Sequence, residues 1–236
     1  MKITTVLFDL DGTLLPMDQE QFIKGYFGRL TKKLAPYGYD AQMVVQSIWR
    51  GTEAMVKNDG SQTNEQAFLA VFRELLGERI LADISILDDF YRVEFQEVQG
   101  DCGFDPRAAE TISAIKSLGY RVALATNPLF PSAATESRIR WAGLTPEAFE
   151  HYTVYENSRY CKPNPAYYLD VAQALGVRSE ECLMVGNDVG EDMLAASSVG
   201  MRVFLLTDHL INKTDRSVEE FPHGSFPDLM EFIKTL

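Results

Sequence analysis

The sequence contains few cysteines, fewer basic than acidic residues, and no long apolar run. Its three cysteines, Cys102, Cys161 and Cys182, are an odd number without the spacing of a metal site, so we expect reduced thiols in a cytoplasmic protein. The 22 lysines and arginines are outnumbered by 34 aspartates and glutamates, which gives a formal net charge of -12. This charge argues against nucleic acid or an anionic membrane surface as a partner, although a small anionic substrate can still bind where the local charge is positive.

No apolar run is long enough to cross a bilayer, and Asp9 and Asp11 interrupt the one that follows Lys2 too early for a secretory signal. The composition, with 46% hydrophobic and 24% charged residues, is typical of a globular protein that buries a sizeable core. A length of 236 residues suffices for one large domain, or for one domain that carries an insertion.

The order of apolar patterns predicts an α/β fold. Residues 6–8 are apolar on both faces of a strand, which is typical of a parallel sheet covered by helices. From about residue 18 to 98 only helical patterns occur, roughly four of them, and beyond that strands alternate with helices. We predict a doubly wound, mainly parallel sheet formed by residues 1–15 and 100–236. Residues 16–99, called the helical insert below, are predicted to form an α-helical bundle inserted after the first strand.

Two aspartates follow this first strand, in the sequence Asp9-Leu10-Asp11-Gly12-Thr13. Open parallel sheets bind their ligands at the carboxyl ends of the strands. Two carboxylates this close repel each other unless a cation lies between them or one of them holds a proton. The pair therefore indicates a hard metal ion with oxygen ligands, most simply Mg2+. The alternative is an ordinary turn, in which Asp and Gly are also favoured.

Three further polar clusters occur at strand ends or helix starts, and each has a plainer structural interpretation. Thr126-Asn127 can hold phosphate oxygens, or can belong to a simple loop. Lys162 precedes a helix, where the helix dipole disfavours a cation unless it pairs with a phosphate or a catalytic aspartate, and otherwise it is a surface lysine. Asp188 and Asp192 lie four residues apart and can complete a metal site or simply cap a helix.

Taken together, the four clusters favour one functional site. We expect four parallel strands each to end in one of them, so that an acid pair, a hydroxyl, a lysine and a second acid pair meet at one edge of the sheet. These are the groups that phosphoryl transfer needs, because that reaction depends on positioning and on the neutralisation of charge.

The ordered motifs resemble those of the haloacid dehalogenase (HAD) superfamily of phosphohydrolases. They are DLDGT from Asp9, TN at Thr126, KP at Lys162 and GNDVGED from Gly186 to Asp192. The resemblance extends over essentially the whole chain, and the helical insert is similar to the family's C1-type cap. One departure is Asn187, an extra residue between the usual glycine and the acidic residue.

The resemblance implies a Mg2+-dependent phosphohydrolase that acts through an aspartyl-phosphate. Asp9 would be the nucleophile, Asp11 the acid and base for leaving group and water, and Lys162 the group that neutralises charge. The implied phosphate ligands are Thr126 and Asn127. The implied metal ligands are Asp9, the backbone carbonyl of Asp11, Asp188 and, directly or through water, Asp192.

Other members of the family offer alternatives. A phosphosugar mutase has the same site, whereas a haloacid dehalogenase needs neither the metal nor the leaving-group acid, and a binding protein on this fold usually has a broken site. The filled positions favour a phosphatase. We expect a small phosphate ester as substrate, such as a sugar phosphate, phosphoglycolate or a nucleoside monophosphate, and no feature of the sequence indicates an oligomeric state.

Overall fold

The computed structural model describes residues 2–236 and confirms the α/β fold, with a five-stranded parallel sheet in the order β2-β1-β3-β4-β5. The strands are β1 (Thr5–Phe8), β2 (Arg121–Leu124), β3 (Cys182–Gly186), β4 (Arg202–Leu206) and β5 (His223–Gly224). Thr5 pairs with both Arg121 and Cys182, so β1 lies between β2 and β3. The strand that carries the first aspartate pair therefore has a neighbour on each side.

Both faces of the sheet are apolar because both are covered. Val6 and Phe8 belong to one buried cluster, and Leu7 between them belongs to another on the opposite face. The first face is covered by α6 (Pro106–Ser117), α7 (Ser132–Trp141) and α10 (Phe226–Ile233), and the second by α8 (Pro165–Leu175) and α9 (Ala195–Ser198). This arrangement is the doubly wound sheet that the strand patterns predict.

No residue from 18 to 98 forms a strand, as expected for the helical insert. Its helices are α1 (Gln19–Leu34), α2 (Ala41–Val56), α3 (Asn64–Leu76), α4 (Arg79–Ala82) and α5 (Ile84–Arg92). Side chains of Asp18, Asp40 and Thr63 cap the first three helices, and Thr63 forms a full capping box with Gln66. The last helical pattern divides into α4, α5 and a 3-10 segment, Glu94–Asp101, so the insert has more helices than the four expected.

Three other details differ from the sequence patterns. Strand β5 was not expected, because its two residues are too few to show a pattern. The stretch from Tyr152 to Tyr155, whose pattern is compatible with a strand, makes only a single bridge, between Tyr152 and Leu124. The expected helix after β3 begins as a π-helical turn, Val189–Leu194, before it continues as α9.

Short 3-10 turns complete the structure at Ala35–Tyr37, Pro146–Ala148, Ser179–Glu181 and Val218–Glu220. Within residues 2–236, no helix combines the length and the apolar character that a membrane span requires.

Candidate active site

The carboxyl ends of three neighbouring strands bring three of the four predicted clusters together. Asp9 directly follows β1, and its N–H donates to Val185 of β3 at 2.9 Å. Ala125, next to Thr126, donates to Phe8 of β1 at 2.7 Å. The backbone ladder therefore continues one step beyond the strands and fixes the start of each loop relative to its neighbours.

The loop after β1 is shaped by a glycine and held by Asn187. Gly12 has φ of +85°, a conformation that side chains of L-residues rarely adopt. A Cβ at this position would lie 2.3 Å from Asn187 Nδ2. Thr13 Oγ1 lies 3.2 Å from both Asp9 Oδ2 and Asn187 Oδ1. Asn187, the residue that departs from the family motif, thus holds the loop that carries Asp9 and Asp11.

Lys162 is buried and bridges two aspartates. Its Nζ donates to Asp9 Oδ1 at 2.8 Å and to Asp192 Oδ1 at 2.6 Å. Burial acts to lower the pKa of Lys162, but the attraction of Asp192 and Asp9 outweighs it, so the pKa is raised well above its ordinary value and the ammonium stays charged. The surface interpretation of this lysine is therefore wrong.

The expected position of Lys162 at the end of a sheet strand is also wrong. Its loop lies between the isolated bridge at Tyr152 and helix α8, and it reaches the site from outside the sheet. Two side chains fix the neighbouring strand end: Thr153 Oγ1 and Tyr167 OH donate to the carbonyl of Thr126 at 2.6 and 2.8 Å. No sequence pattern indicates these contacts, because each joins residues far apart in the chain.

Asp11 is paired with Arg138 of α7, which sequence patterns did not single out. The Nη1 atom of Arg138 donates to Asp11 Oδ2, and only 1% of the arginine side chain is exposed. The guanidinium also lies over the ring of Phe130, 4.5 Å from its centroid. Burial raises the pKa of Asp11, the attraction of Arg138 opposes this, and repulsion from Asp9 adds to it, so the net pKa is raised.

Asp188 and Asp192 combine capping with a place in the site. Asp188 Oδ1 accepts from the N–H groups of Gly190 and Glu191 at 2.7 and 2.8 Å. Asp192 Oδ2 accepts from the N–H groups of Asn187 and Asp188, both at 3.1 Å, while its other oxygen binds Lys162. Burial raises the pKa of Asp192, although Lys162 opposes that effect.

Thr126 and Asn127 lie beside these acids. Within residues 2–236, neither the Thr126 hydroxyl nor the Asn127 backbone N–H donates to another residue, so both are available to a ligand. The side-chain amide of Asn127 donates to Glu191 Oε2 at 3.1 Å. Burial is the main cause of a raised pKa for Glu191, a further acid that the motif pattern did not assign.

Two buried oxygens in this cluster, Asp11 Oδ1 and Asn127 Oδ1, have no hydrogen-bond partner among residues 2–236. Carboxylate and amide oxygens suit a hard cation such as Mg2+. In the described part of the chain no three acidic, histidine or cysteine side chains form a ready-made metal cluster. A site of two carboxylates and one backbone carbonyl, which the motifs imply, does not require such a cluster, and its oxygens fit the ion.

A cavity of about 610 Å³ opens from Asp9 and Asp11 and extends between the helices of the insert. Its walls also include Thr126, Asn127 and Asp188. Asp9, Asp11, Thr126, Asn127, Asp188 and Asp192 therefore face a space in which a ligand can meet them together, whereas Lys162 lies behind Asp9 and Asp192 and does not line it.

Comparisons with known proteins agree with the motifs. The family model for haloacid dehalogenase-like hydrolases matches residues 3–200. Glyceraldehyde 3-phosphate phosphatase from Methanopyrus kandleri is 23% identical over 209 residues, which are 84% of this chain and 82% of that protein. Phosphoglycolate phosphatase from Vibrio vulnificus is 26% identical over 206 residues, 87% of this chain and 84% of that one. The crystal structure of 2-haloacid dehalogenase from Pseudomonas syringae pv. Tomato DC3000 shares the fold, with a TM-score of 0.65 and 18% identity over 99% of both chains. The chain belongs to the family of haloacid dehalogenase-like hydrolases.

Proposed function

We propose that the protein is a Mg2+-dependent phosphohydrolase that cleaves a small phosphate monoester through an aspartyl-phosphate intermediate. The observation that carries this proposal is the position of Lys162, whose ammonium joins Asp9 and Asp192 beside the second aspartate of the pair, Asp11. A nucleophilic carboxylate with a fixed cation beside it is suited to attack on a dianionic phosphate, because the cation offsets the repulsion between them. Relatives named as phosphatases of glyceraldehyde 3-phosphate and of phosphoglycolate support the same reaction.

In the first step a carboxylate oxygen of Asp9 forms a bond to phosphorus while the bond from phosphorus to the leaving oxygen breaks. Asp11 gives its proton to that oxygen, and the raised pKa of Asp11 favours the protonated form that this step needs. In the second step Asp11 takes a proton from water, whose oxygen attacks phosphorus. The bond to Asp9 then breaks and inorganic phosphate leaves.

The remaining site residues hold the phosphoryl group. The Thr126 hydroxyl and the Asn127 N–H would donate to its oxygens. Asp9, the Asp11 carbonyl and Asp188 would hold Mg2+, with Asp192 as a supporting ligand. When bound, the ion supplies positive charge that stabilises the phosphoryl oxygens during transfer.

The helical insert, residues 16–99, would act as a cap on a core domain of residues 1–15 and 100–236. The shared cavity supports this division, because its wall combines helices of the insert with the core residues around the catalytic aspartates. A closed cap would exclude bulk water and contact the leaving group. The three cysteines, all free thiols, support a cytoplasmic location.

Of the alternatives, a phosphosugar mutase would use the same residues and differ in how the cap excludes water. A dehalogenase is disfavoured because Asp11, Asp188 and Asp192 would have no role in it. A binding protein is disfavoured because every catalytic position is filled.

The test is phosphate release from a panel of phosphate monoesters, with Mg2+ and with a chelator. Turnover should depend on Mg2+ and disappear in Asp9→Asn, while Asp215→Asn, a matched change of an exposed acid, should leave it intact. Turnover that survives Asp9→Asn would refute the aspartyl-phosphate, and transfer of phosphate to a second position of the sugar without release would favour the mutase.

A further inference from the structure

We propose that the leaving group of the substrate is bulky and mainly apolar, and that it carries no second negative charge. This inference rests on the proposed function, because it concerns the other half of the same phosphate ester. It excludes phosphoglycolate and sugar bisphosphates as good substrates.

The size of the cavity is the first reason. About 610 Å³ is within the range of pockets that enclose drug-sized ligands, roughly 300 to 1,000 Å³. The phosphoryl group would occupy only the end at Asp9 and Asp11. A leaving group of two or three carbons would leave most of the remaining space to water.

The walls are the second reason. Beyond the catalytic end, helices α1, α3 and α5, the loop after β2 and the segment before α8 line the cavity with half-buried apolar side chains. Among them are Phe27, Phe68, Leu69, Leu87, Phe130 and Tyr155. Several of these rings pack on others: Phe68 stacks on Phe72 with centroids 4.9 Å apart, and Phe27 meets Trp49 edge-on at 5.5 Å. Apolar surface that remains accessible inside an enclosed cavity favours an apolar ligand, because binding removes that surface from water.

The charges on the wall are the third reason. Two half-buried acids, Glu65 and Glu156, line the cavity beyond the catalytic acids. Glu156 accepts from the N–H and Oγ of Ser132 at 2.9 and 3.0 Å, whereas no donor of residues 2–236 reaches the Glu65 carboxylate. Burial, and then repulsion from Glu156, raises the pKa of Glu65, so this end of the cavity already disfavours negative charge.

The cations cannot offset these acids. The two buried cations near the aspartate pair are already engaged, Lys162 by Asp9 and Asp192 and Arg138 by Asp11. The basic residues that line the cavity itself, Arg92 and Lys213, are exposed to solvent. A carboxylate or second phosphate on the leaving group would therefore be desolvated among acids and aromatic rings without a buried partner.

The experiment compares kcat/KM for a series of n-alkyl phosphates from ethyl to octyl. All have nearly the same leaving-group chemistry, so differences report contacts with the cavity. We expect a rise of roughly threefold to fourfold for each added methylene until the cavity is filled. Matched ω-carboxyalkyl phosphates should react at least about 100-fold more slowly than alkyl phosphates of equal length, since their charge is buried without a partner.

Two variants locate the effect. Leu69→Ala should reduce the ratio of octyl to ethyl phosphate, whereas Leu169→Ala, at a half-exposed position of α8 outside the cavity wall, should not change it. Glu65→Gln should improve the carboxyalkyl phosphates relative to the alkyl phosphates.

Binding of n-alkyl phosphonates, which cannot be hydrolysed, is measured by calorimetry in parallel with Mg2+ present. Affinity that rises with chain length would support the apolar cavity even if no ester turned over. The lack of turnover would then refute the phosphatase but not the inference about the leaving group. Turnover that depends on Asp9 but not on chain length, together with equal affinity for short and long phosphonates, would overturn the inference and leave the phosphatase intact.

Discussion

Arg138 and Asp11 are 127 positions apart in the sequence, yet the arginine Nη1 donates directly to the aspartate Oδ2. The arginine is buried and its guanidinium also covers the ring of Phe130, which lines the cavity. The Arg138 side chain therefore contacts Asp11, which is the proposed general acid and base, and also the wall of the leaving-group cavity. Its charge opposes the rise that burial gives to the pKa of Asp11, so it helps Asp11 to exist in both the protonated and ionised forms that the two steps need.

Arg138→Met should impair both stability and catalysis. It leaves the carboxyl of Asp11 without its buried partner, and we expect a loss of about 3 kcal/mol in the free energy of unfolding. Turnover should fall by about 100-fold, because Asp11 loses its fixed position. The matched control is Arg140→Met on the same helix, whose arginine is exposed and pairs with Glu136.

A double variant separates the electrostatic effect from a packing defect. In Arg138→Met with Asp11→Asn, the unpaired carboxyl is gone, so part of the lost stability should return while activity stays absent. Urea denaturation measures the recovered stability, and phosphate release measures the activity. Equal losses of stability for Arg138→Met and Arg140→Met would contradict the buried pair.

Lys162→Met should reduce turnover by at least about 100-fold, the effect typical of removing one fixed group that stabilises transition-state charge. Removal of the ammonium leaves the carboxylates of Asp9 and Asp192 without the cation that joins them. Single-turnover kinetics should assign the loss to phosphorylation of Asp9. Lys213→Met, at an exposed position of the same cavity, serves as the control, and an equal loss there would show that general charge rather than the bridge is responsible.

Local signals explain why so much of this site was predictable from sequence. The helix caps at Asp18, Thr63 and Asp105 bind partners only two or three positions away, so a short stretch of sequence is enough to indicate such a cap. The polar clusters after β1, β2 and β3 are equally local, and parallel pairing alone brings them to one edge.

What the sequence could not reveal depends on contacts between distant segments. Arg138 lies in a helix with other charged residues, and nothing in the sequence distinguishes it from the exposed Arg140. In the sequence Asn187 is only an extra residue in the motif. Its hydrogen bond with Thr13 and its close approach to Gly12 depend on how two loops that are distant in the chain pack together. The expectation that Lys162 follows a sheet strand is wrong, because its loop precedes α8 outside the sheet, although its ammonium does pair with Asp9.

Gly12→Ala should cost more stability than a change of backbone conformation alone. Alanine at positive φ costs about 1–2 kcal/mol, and the new Cβ would also collide with the Asn187 amide. Gly119→Ala is a close control, because Gly119 has φ of +90° but no atom within 4 Å of its Cβ position. The difference between the two variants, measured by urea denaturation, reports the contact with Asn187.

Combining Gly12→Ala with Asn187→Ala should remove the collision and keep the backbone cost. Relative to Asn187→Ala alone, the added loss should then equal that of Gly119→Ala. An equal cost for Gly12→Ala and Gly119→Ala in the parent protein would show that the loop moves freely away from Asn187.

His151, which lies away from the site, should make the fold sensitive to mild acid. Its backbone carbonyl accepts from Leu124 of β2, and burial lowers the pKa of its imidazole below the ordinary 6.5. Since the unfolded chain binds the proton more readily, this histidine has no effect on stability at high pH and destabilises the fold as the pH falls through about 6.5. Denaturation in urea at about pH 8 and pH 5.5, either side of that value, should therefore show a smaller acid-induced loss for His151→Gln than for the parent protein. His209→Gln, a change at an exposed position, should lose as much stability as the parent protein between these two pH values. If His151→Gln also lost as much, the imidazole would not be held neutral by burial, and the acid sensitivity of the fold would originate in its carboxylates.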